Sequence, residues 1–521
     1  MKKIFNIAVA SLLALATLSS CDLNLFPRGS INYDENGALF VNATELGYFQ
    51  TGLYSSYRSG FYGANAIICE VSCDGFNATA DYGNNYGAPH RLDKTFDADD
   101  YDVRDFWANR YSAIKNYNVF IKGVETLPEE YSGLLEAAQV VKGEAYFFRA
   151  SAYLDLVRHF APAYNASTAS KDLAVPLVLV YNQMEKPVRA SVADIYGQIK
   201  KDLDSAAVNL AGVAGKIGSQ KITIDAVNAL YARYYLDVKD YGNAASYADQ
   251  VIESAAGYAL ASTVDEFKAE YHEDKGKEPI IQLYASLAEN GSGTNNVYTF
   301  MGTSASLKDA DKNPLGRYFN KPYFLPSQKL LNLYDSSDLR LKCWFTAGEN
   351  ALTGETYSVL LGSDYSTDIT VFTKYMGDPV LTNTDALNSR HNVKPLMIGE
   401  MYLIAAEAYY KGGNSTTGLA RLQTLQGKRG SAPSGIINED VLSNEWFKET
   451  VGEGLRLSTI KRFGKGYTVR TPQAAALSAK ALTAGADFVG KSVSASDFHL
   501  VWPIPTNDIQ TNPNLVQNPG Y

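Results

Sequence analysis

Between Leu134 and Leu156 apolar residues recur at steps of four and three: Leu134, Ala138, Val141, Ala145, Phe148, Ala152 and Leu156. That is the repeat of one α-helical face. It predicts a helix over about 132–161 lying along a single groove. Residues 43–58 carry the same signal in Leu46, Phe49, Leu53 and Tyr57, and 103–126 carry it in Phe106, Tyr111, Ile114, Tyr117 and Ile121. Ser191, with Asp194 three residues on, is an N-cap that opens a further helix to about Leu210. A chain dominated by such segments has to stack helices on helices.

Residues 223–256 show how. Thr223 caps one helix, Gly242-Asn243 is expected to break it, and a second runs to Ser254. Ala232, Tyr235, Tyr241, Ala244 and Ala248 have the spacing of tetratricopeptide pairs, in which small residues let two antiparallel helices approach and aromatics fill the gaps. Segments 103–161 and 396–428 are of similar size, with Ala405, Ala406 and Ala408 as close-packing positions in the latter. The fold class expected is mainly α, with tetratricopeptide-like helical hairpins as scaffold. Residues 262–395 break the pattern as a loop-rich irregular insert with minor β at 279–285, 356–361 and 369–375. Pro176 to Pro187 is an extended linker, and 59–100, rich in Gly and Asn, is a long loop. Long ordered loops on a scaffold are where binding groups gather.

The N-terminus sets the compartment. Met1-Lys2-Lys3, an apolar run to Leu18, and Leu18-Ser19-Ser20-Cys21 resemble a signal peptide ending in a lipobox. Residues 1–20 are thus expected to be removed, Cys21 to carry lipid, and 21–41 to form a spacer. An ordinary secretion signal is the alternative. A membrane-spanning helix needs about 20 apolar residues, and this run is shorter and interrupted. Halves at 42–261 and 262–521 follow the spacer. Losing Lys2 and Lys3 takes the formal charge from -9 to -11. With no basic tract, nucleic acid is a poor partner. Three cysteines remain, Cys69, Cys73 and Cys343, too few for a disulfide scaffold; Cys69 and Cys73 either bridge or stay reduced and buried.

Neither the Gly-x-Ser-x-Gly nor the His-Glu-x-x-His catalytic string is present. The chain is therefore not expected to be an enzyme. The run Asp93, Asp97, Asp99, Asp100, Asp102 and Asp105 lacks calcium-loop spacing, so a solvated face is expected, with calcium the alternative and no other cofactor or metal implied. Glu445, Glu449 and Glu453 step by four, as on one helix face, with Arg456, Lys461 and Arg462 following. Ion pairing is the simpler reading, a glycosidase-like carboxylate pair the other.

Those same residues carry a resemblance. Glu445, Glu449, Glu453-Gly454-x-Arg456 and Ile460-x-Arg462 resemble the signature helix of the SusD/RagB family of nutrient-binding outer-membrane lipoproteins, departing from it at Trp446, Thr450 and Thr459. Glu400 to Ala408 resembles a second family helix, with Met397 where Arg is common. The close, Trp502-Pro503-Ile504-Pro505, Asn512-Pro513-Asn514 and Gln517 to Tyr521, is the most specific match. The resemblance implies a lipid-anchored, surface-exposed outer-membrane protein that captures oligosaccharide for a SusC-type TonB-dependent transporter. Peptide is the alternative ligand. The departures are expected to weaken interhelical ion pairs.

Candidate ligand groups follow from chemistry. A sugar needs flat aromatic faces and a few fixed polar groups. Against 36 Tyr there are only 4 Trp, and each Trp has a framework reading, so Tyr is expected to build any platform. The 74–91 loop offers Asp74, Asn77, Tyr82, Tyr86 and Arg91, and the insert offers Tyr298, Tyr318 and Tyr323.

Overall fold

The computed structural model describes residues 37–61, 64–286, 303–308, 314–361, 364–375, 377–381, 391–473, 482 and 490–521. Cys21 and Tyr298 lie outside the described residues, as does the signal and most of the spacer. No described helix is long and apolar enough to cross a membrane.

The main helices are α1 (Ala43–Ser59), α2 (Ala64–Val71), α3 (Tyr101–Glu125), α4 (Leu135–Phe160), α5 (Val192–Asn209), α6 (Ile224–Asp237), α7 (Tyr241–Ile252), α8 (Val264–Tyr271), α9 (Ile398–Lys411), α10 (Ser415–Lys428), α11 (Glu439–Glu449) and α12 (Arg456–Phe463). Each of α3 to α6 packs on the next; α7 then packs on α9, and α9 on α10. The helical stack thus runs on past residues 262–395, which loop out of it. Small residues make the close approaches: a Cβ on Gly418 of α10 would sit 2.8 Å from the Ala406 carbonyl oxygen of α9. The predicted caps are present, Ser191 and Asp194 as a reciprocal capping box and Thr223 accepting from Ala226.

Three expectations change. The α4 helix does not lie along one groove: Gly143, Phe147, Ala150, Tyr153 and Val157 are buried as well as the predicted stripe, because α3 and α5 both pack along it. The α6–α7 turn falls at Val238 to Asp240, not at Gly242-Asn243. Lys239 takes the left-handed conformation there, and Asp240 caps α7 by accepting from Asn243. The stretch 445–463 is two helices, since Gly452 and Gly454, both at positive φ, end the run after Glu449; Glu453 shares no helix face with Glu445.

The insert and the 59–100 loop hold more order than periodicity predicts. Within the loop lie α2, a strand β1 (Phe76–Ala78) and a helical turn Gly87–Arg91. The insert contributes β2 (Thr303–Lys308), β3 (Pro314–Lys321), β4 (Phe324–Pro326) and β5 (Thr356–Leu361). Strand β3 pairs antiparallel with β2 and parallel with β5, and β4 pairs antiparallel with β1 in the register Ala78↔Phe324. Strand β1 is too short to show a period in sequence.

Charges are built into the core. Arg340 reaches Glu445 at 2.7 Å and Glu449 at 2.8 Å, Arg429 reaches Glu278 at 2.6 Å and also binds Glu449, and Arg462 reaches Glu407 at 2.8 Å. Burial pushes the Glu449 carboxyl up, but Arg429 and Arg340 outweigh it and hold it below the usual range. The ion-pair reading of the Glu series therefore stands, although apart from Lys448, 2.9 Å from Glu445, it draws its cations from Arg340, Lys374 and Arg429 upstream and not from Arg456, Lys461 and Arg462. All four Trp are buried, and Cys69, Cys73 and Cys343 are free thiols.

Candidate ligand-binding face

The β1–β4 pair decides which residues share a surface. It seats Thr79 beside the middle of the insert: the Thr79 amide donates to the Tyr323 carbonyl at 2.9 Å and its hydroxyl to the Pro322 carbonyl at 2.7 Å. The chain then turns through left-handed Gly83, Asn84 and Tyr86 into the Gly87–Arg91 turn, which ends at left-handed Leu92. Non-glycine residues in that region cost about 1–3 kcal/mol each when strained, so side-chain contacts must hold them there.

Arg91 supplies those contacts. Its guanidinium donates to the Tyr82 hydroxyl at 3.1 Å, to Asn84 Oδ1 at 2.8 Å and to Thr95 at 3.1 Å, and lies 3.3 Å from Asp93. The Tyr82 hydroxyl in turn donates to Asn84 Oδ1 at 3.2 Å, and the Asn85 amide to the Tyr82 carbonyl at 2.6 Å. Gly87 leaves the space, for a Cβ there would fall 2.2 Å from Asn84 Oδ1 and 2.7 Å from Arg91 Nη1. The Tyr82 ring stands edge-on to Phe324 of β4 at 6.3 Å, which braces it from below.

The resulting face is half-exposed at Tyr82, Asn85, Tyr86 and Arg91 and exposed at Asn84. Tyr323 borders it, half-buried, and Lys321 reaches Asp81 at 3.5 Å. Tyr101, 54% exposed at the start of α3, belongs to it too. Burial, then Asp102, Asp100 and Tyr86, push its phenol up. The sequence reading missed Tyr101 because it sits within an acidic run, and only the α3 N-terminus turns it outward. Asp93, Asp97 and Asp100 of that run accept from the amides of Thr95, Asp99 and Val103. Among the described residues no three His, Cys, Asp or Glu side chains converge as metal ligands.

Asp74 and Asn77 stand apart from this face. Asp74 is 0% exposed, and accepts from Arg456 at 2.8 and 2.9 Å and from Lys329 at 2.8 Å. Burial would raise its carboxyl, but Arg456 and Lys329 outweigh it and bring it to about 2. Asn77 is buried in β1 and donates to the Thr471 carbonyl at 3.0 Å. Both are framework groups with no surface for a ligand. Tyr318 lies in β3 opposite Tyr357 of β5, in the sheet that leads to Lys321.

Residues 43–236 match a family described as "Starch-binding associating with outer membrane". Residues 228–521, more than half of the chain, match the SusD family. The chain belongs to the SusD family. A curated relative, the "Starch-binding protein SusD" of Bacteroides thetaiotaomicron, is 31% identical over 126 residues, a match that takes in 24% of this chain and spans 20% of that protein's length. Among solved structures, a SusD superfamily protein from Bacteroides thetaiotaomicron superposes with a TM-score of 0.70 at 24% identity, covering 91% of this chain and 99% of that one. A laminarin-binding SusD-like protein superposes with a TM-score of 0.64 at 20% identity, covering 92% of this chain and 100% of that one. At these identities the SusD structures share the fold. Of the SusD-family matches, the first includes Tyr82, Tyr86, Arg91 and Tyr101 and the second Lys321 and Tyr323.

Proposed function

We propose that this SusD-family protein captures oligosaccharides at the face built by Tyr82, Asn84, Asn85, Tyr86, Arg91, Tyr101 and Tyr323, and hands them to a SusC-type TonB-dependent transporter in the outer membrane. Lipid on Cys21 tethers it there, and it works by binding without bond breaking. The observation that carries the reading is the loop itself: aromatic rings and amides fixed on one half-exposed surface by Arg91. Tyr rings offer apolar faces to sugar C–H groups, and pre-ordered amides meet hydroxyls at little entropic cost. The starch-binding and laminarin-binding relatives support a saccharide as ligand.

Calorimetry on the chain from Asp22 onward tests this, with plant, host and microbial polysaccharides and a mixed oligopeptide pool. Saturable heat is expected with one glycan class, falling about fivefold or more in affinity in Tyr82→Ala, since stacking on one ring is worth about 1 kcal/mol or more. Heat with peptides alone overturns the saccharide in favour of a peptide ligand.

A further inference from the structure

The stretch 177–188, which runs between α4 and α5, carries apolar side chains into water. Met184 is 86% exposed, and Leu179, Val180, Tyr181 and Val188 are exposed beside it. Val516, also exposed, adjoins Val188, because the next residue, Arg189, donates to its carbonyl at 2.8 Å. Contiguous apolar patches on a soluble body mark interaction surfaces.

Side chains hold this loop at both roots. At one root Tyr111 of α3 donates to the Pro176 carbonyl at 2.7 Å, Asn118 of α3 donates to the Val178 carbonyl at 2.9 Å, and the Val178 amide donates to the Tyr153 hydroxyl of α4 at 2.8 Å. At the other, Asn512 and Asn514 donate to the Pro187 and Lys186 carbonyls at 2.8 and 2.7 Å. The closing Asn-Pro-Asn string therefore fixes the loop, and the apolar tip is held outward between its two roots.

The C-terminal half of α3 also receives the chain from the N-terminus. Leu39 packs on Gly123, where a Cβ would fall 2.5 Å from its side chain, and Phe40 stacks on Phe120 at 6.0 Å. Gly123 lies about 7.5 Å along the helix from Asn118, at the rise of one α-helix. From Cys21 to Gly37 the chain reaches at most about 55 Å, about the width of a body this long. With lipid on Cys21, the Leu39 side of the molecule faces the bilayer, and the loop is rooted on that side.

We propose that the 177–188 loop rests in the bilayer interface and sets how the lipid-anchored body sits on the membrane. The inference rests on the Cys21 anchor. A stable protein interface takes about 20–30 residues a side, whereas a single projecting tip of a few apolar side chains has the shape of a wedge for lipid. Tyr181 suits the headgroup level, where amphipathic rings gather. Glu185 and Lys186 cancel, so the contact is apolar and insensitive to salt. The loop orients what the lipid holds and does not retain the protein alone.

The test places an environment-sensitive dye on Met184→Cys, and on Val208→Cys as control, in the chain from Asp22. Val208 is also exposed, at the other end of α5, and the native thiols are buried. An N-terminal histidine tag tethers each protein to vesicles of phosphatidylethanolamine and phosphatidylglycerol that carry a nickel-chelating lipid and a lipid-borne quencher. Quenching is expected to be about threefold or more stronger at position 184 than at 208. Val180→Asp with Tyr181→Asp is expected to abolish the difference at an unchanged melting temperature, since both positions are exposed. Equal quenching at the two positions overturns the proposal. So does shielding of position 184 that appears only when the transporter is added, which assigns the loop to a protein partner. The anchor is read separately, by the mass of the protein purified from cell membranes. Absence of lipid on Cys21 overturns the anchor and this role with it, whereas equal quenching beside a lipidated Cys21 overturns the loop alone.

Discussion

Asp74 shows how far a residue's type can mislead about its role. A carboxylate beside a Gly-rich loop suggests a hydroxyl acceptor, yet its oxygens are taken by Arg456 and Lys329. Asp74→Asn strands a buried guanidinium, and a loss of about 3–5 kcal/mol in urea unfolding is expected. Its pH signature has a definite sign. The folded carboxyl titrates at about 2 and the unfolded one at about 3.9, so this stability is present above about pH 4 and lost as pH falls toward 2. Glu144 behaves oppositely. Burial raises its carboxyl to about 7 although Gln50 and Tyr54 donate to it at 2.7 Å. Between about pH 4.5 and 7 the unfolded chain has released this proton and the folded chain has not. Stability therefore falls as pH rises through that window, and Glu144→Gln is expected to flatten the fall by about 1–3 kcal/mol in pH-dependent unfolding. At the proposed face, Gly87→Ala drives a methyl into Asn84 and Arg91. Calorimetry should show glycan affinity lost in this variant, with the melting temperature within a few degrees of wild type.

At the scale of elements, α9 crosses α10 at close range. Gly418 sits under the Ala406 carbonyl and 3.0 Å, by its built Cβ, from the Tyr410 amide nitrogen. Backbone atoms cannot step aside as side chains do, so Gly418→Ala should cost about 1–3 kcal/mol, read as a lower melting temperature. The departures at Trp446, Thr450 and Thr459 do not leave the signature region without ion pairs. Trp446 packs under the Arg462 guanidinium at 4.7 Å, a cation–π contact that adds to the Arg462–Glu407 pair. Thr450 donates to the Trp446 carbonyl at 2.7 Å.

For the whole molecule, the division of labour is between a stack that continues and an insert that leaves it. The α7–α9 contact continues the stack, and the β1–β4 pair holds the middle of the insert against the chain leading into the 79–91 loop. The proposed face thus depends on residues more than 200 positions apart. The proposed lipid anchor is separable from it: Cys21→Ser is expected to move the protein from the membrane to the soluble fraction while its glycan affinity in solution stays unchanged.

Helices, their caps and the hairpins were legible in the sequence because helical period, capping and small-residue spacing are local, and each leaves its mark within a turn or two. The family was legible in the motifs of the C-terminal half for the same reason, since they are framework strings. The tertiary structure alone decided which polar groups face solvent. Asp74 and Arg91 lie in the same Gly-rich loop, yet one is sealed by Arg456 from α12 and the other holds an open face. Nothing near Asp74 in sequence encodes its partners, whereas those of Arg91 lie within nine residues of it.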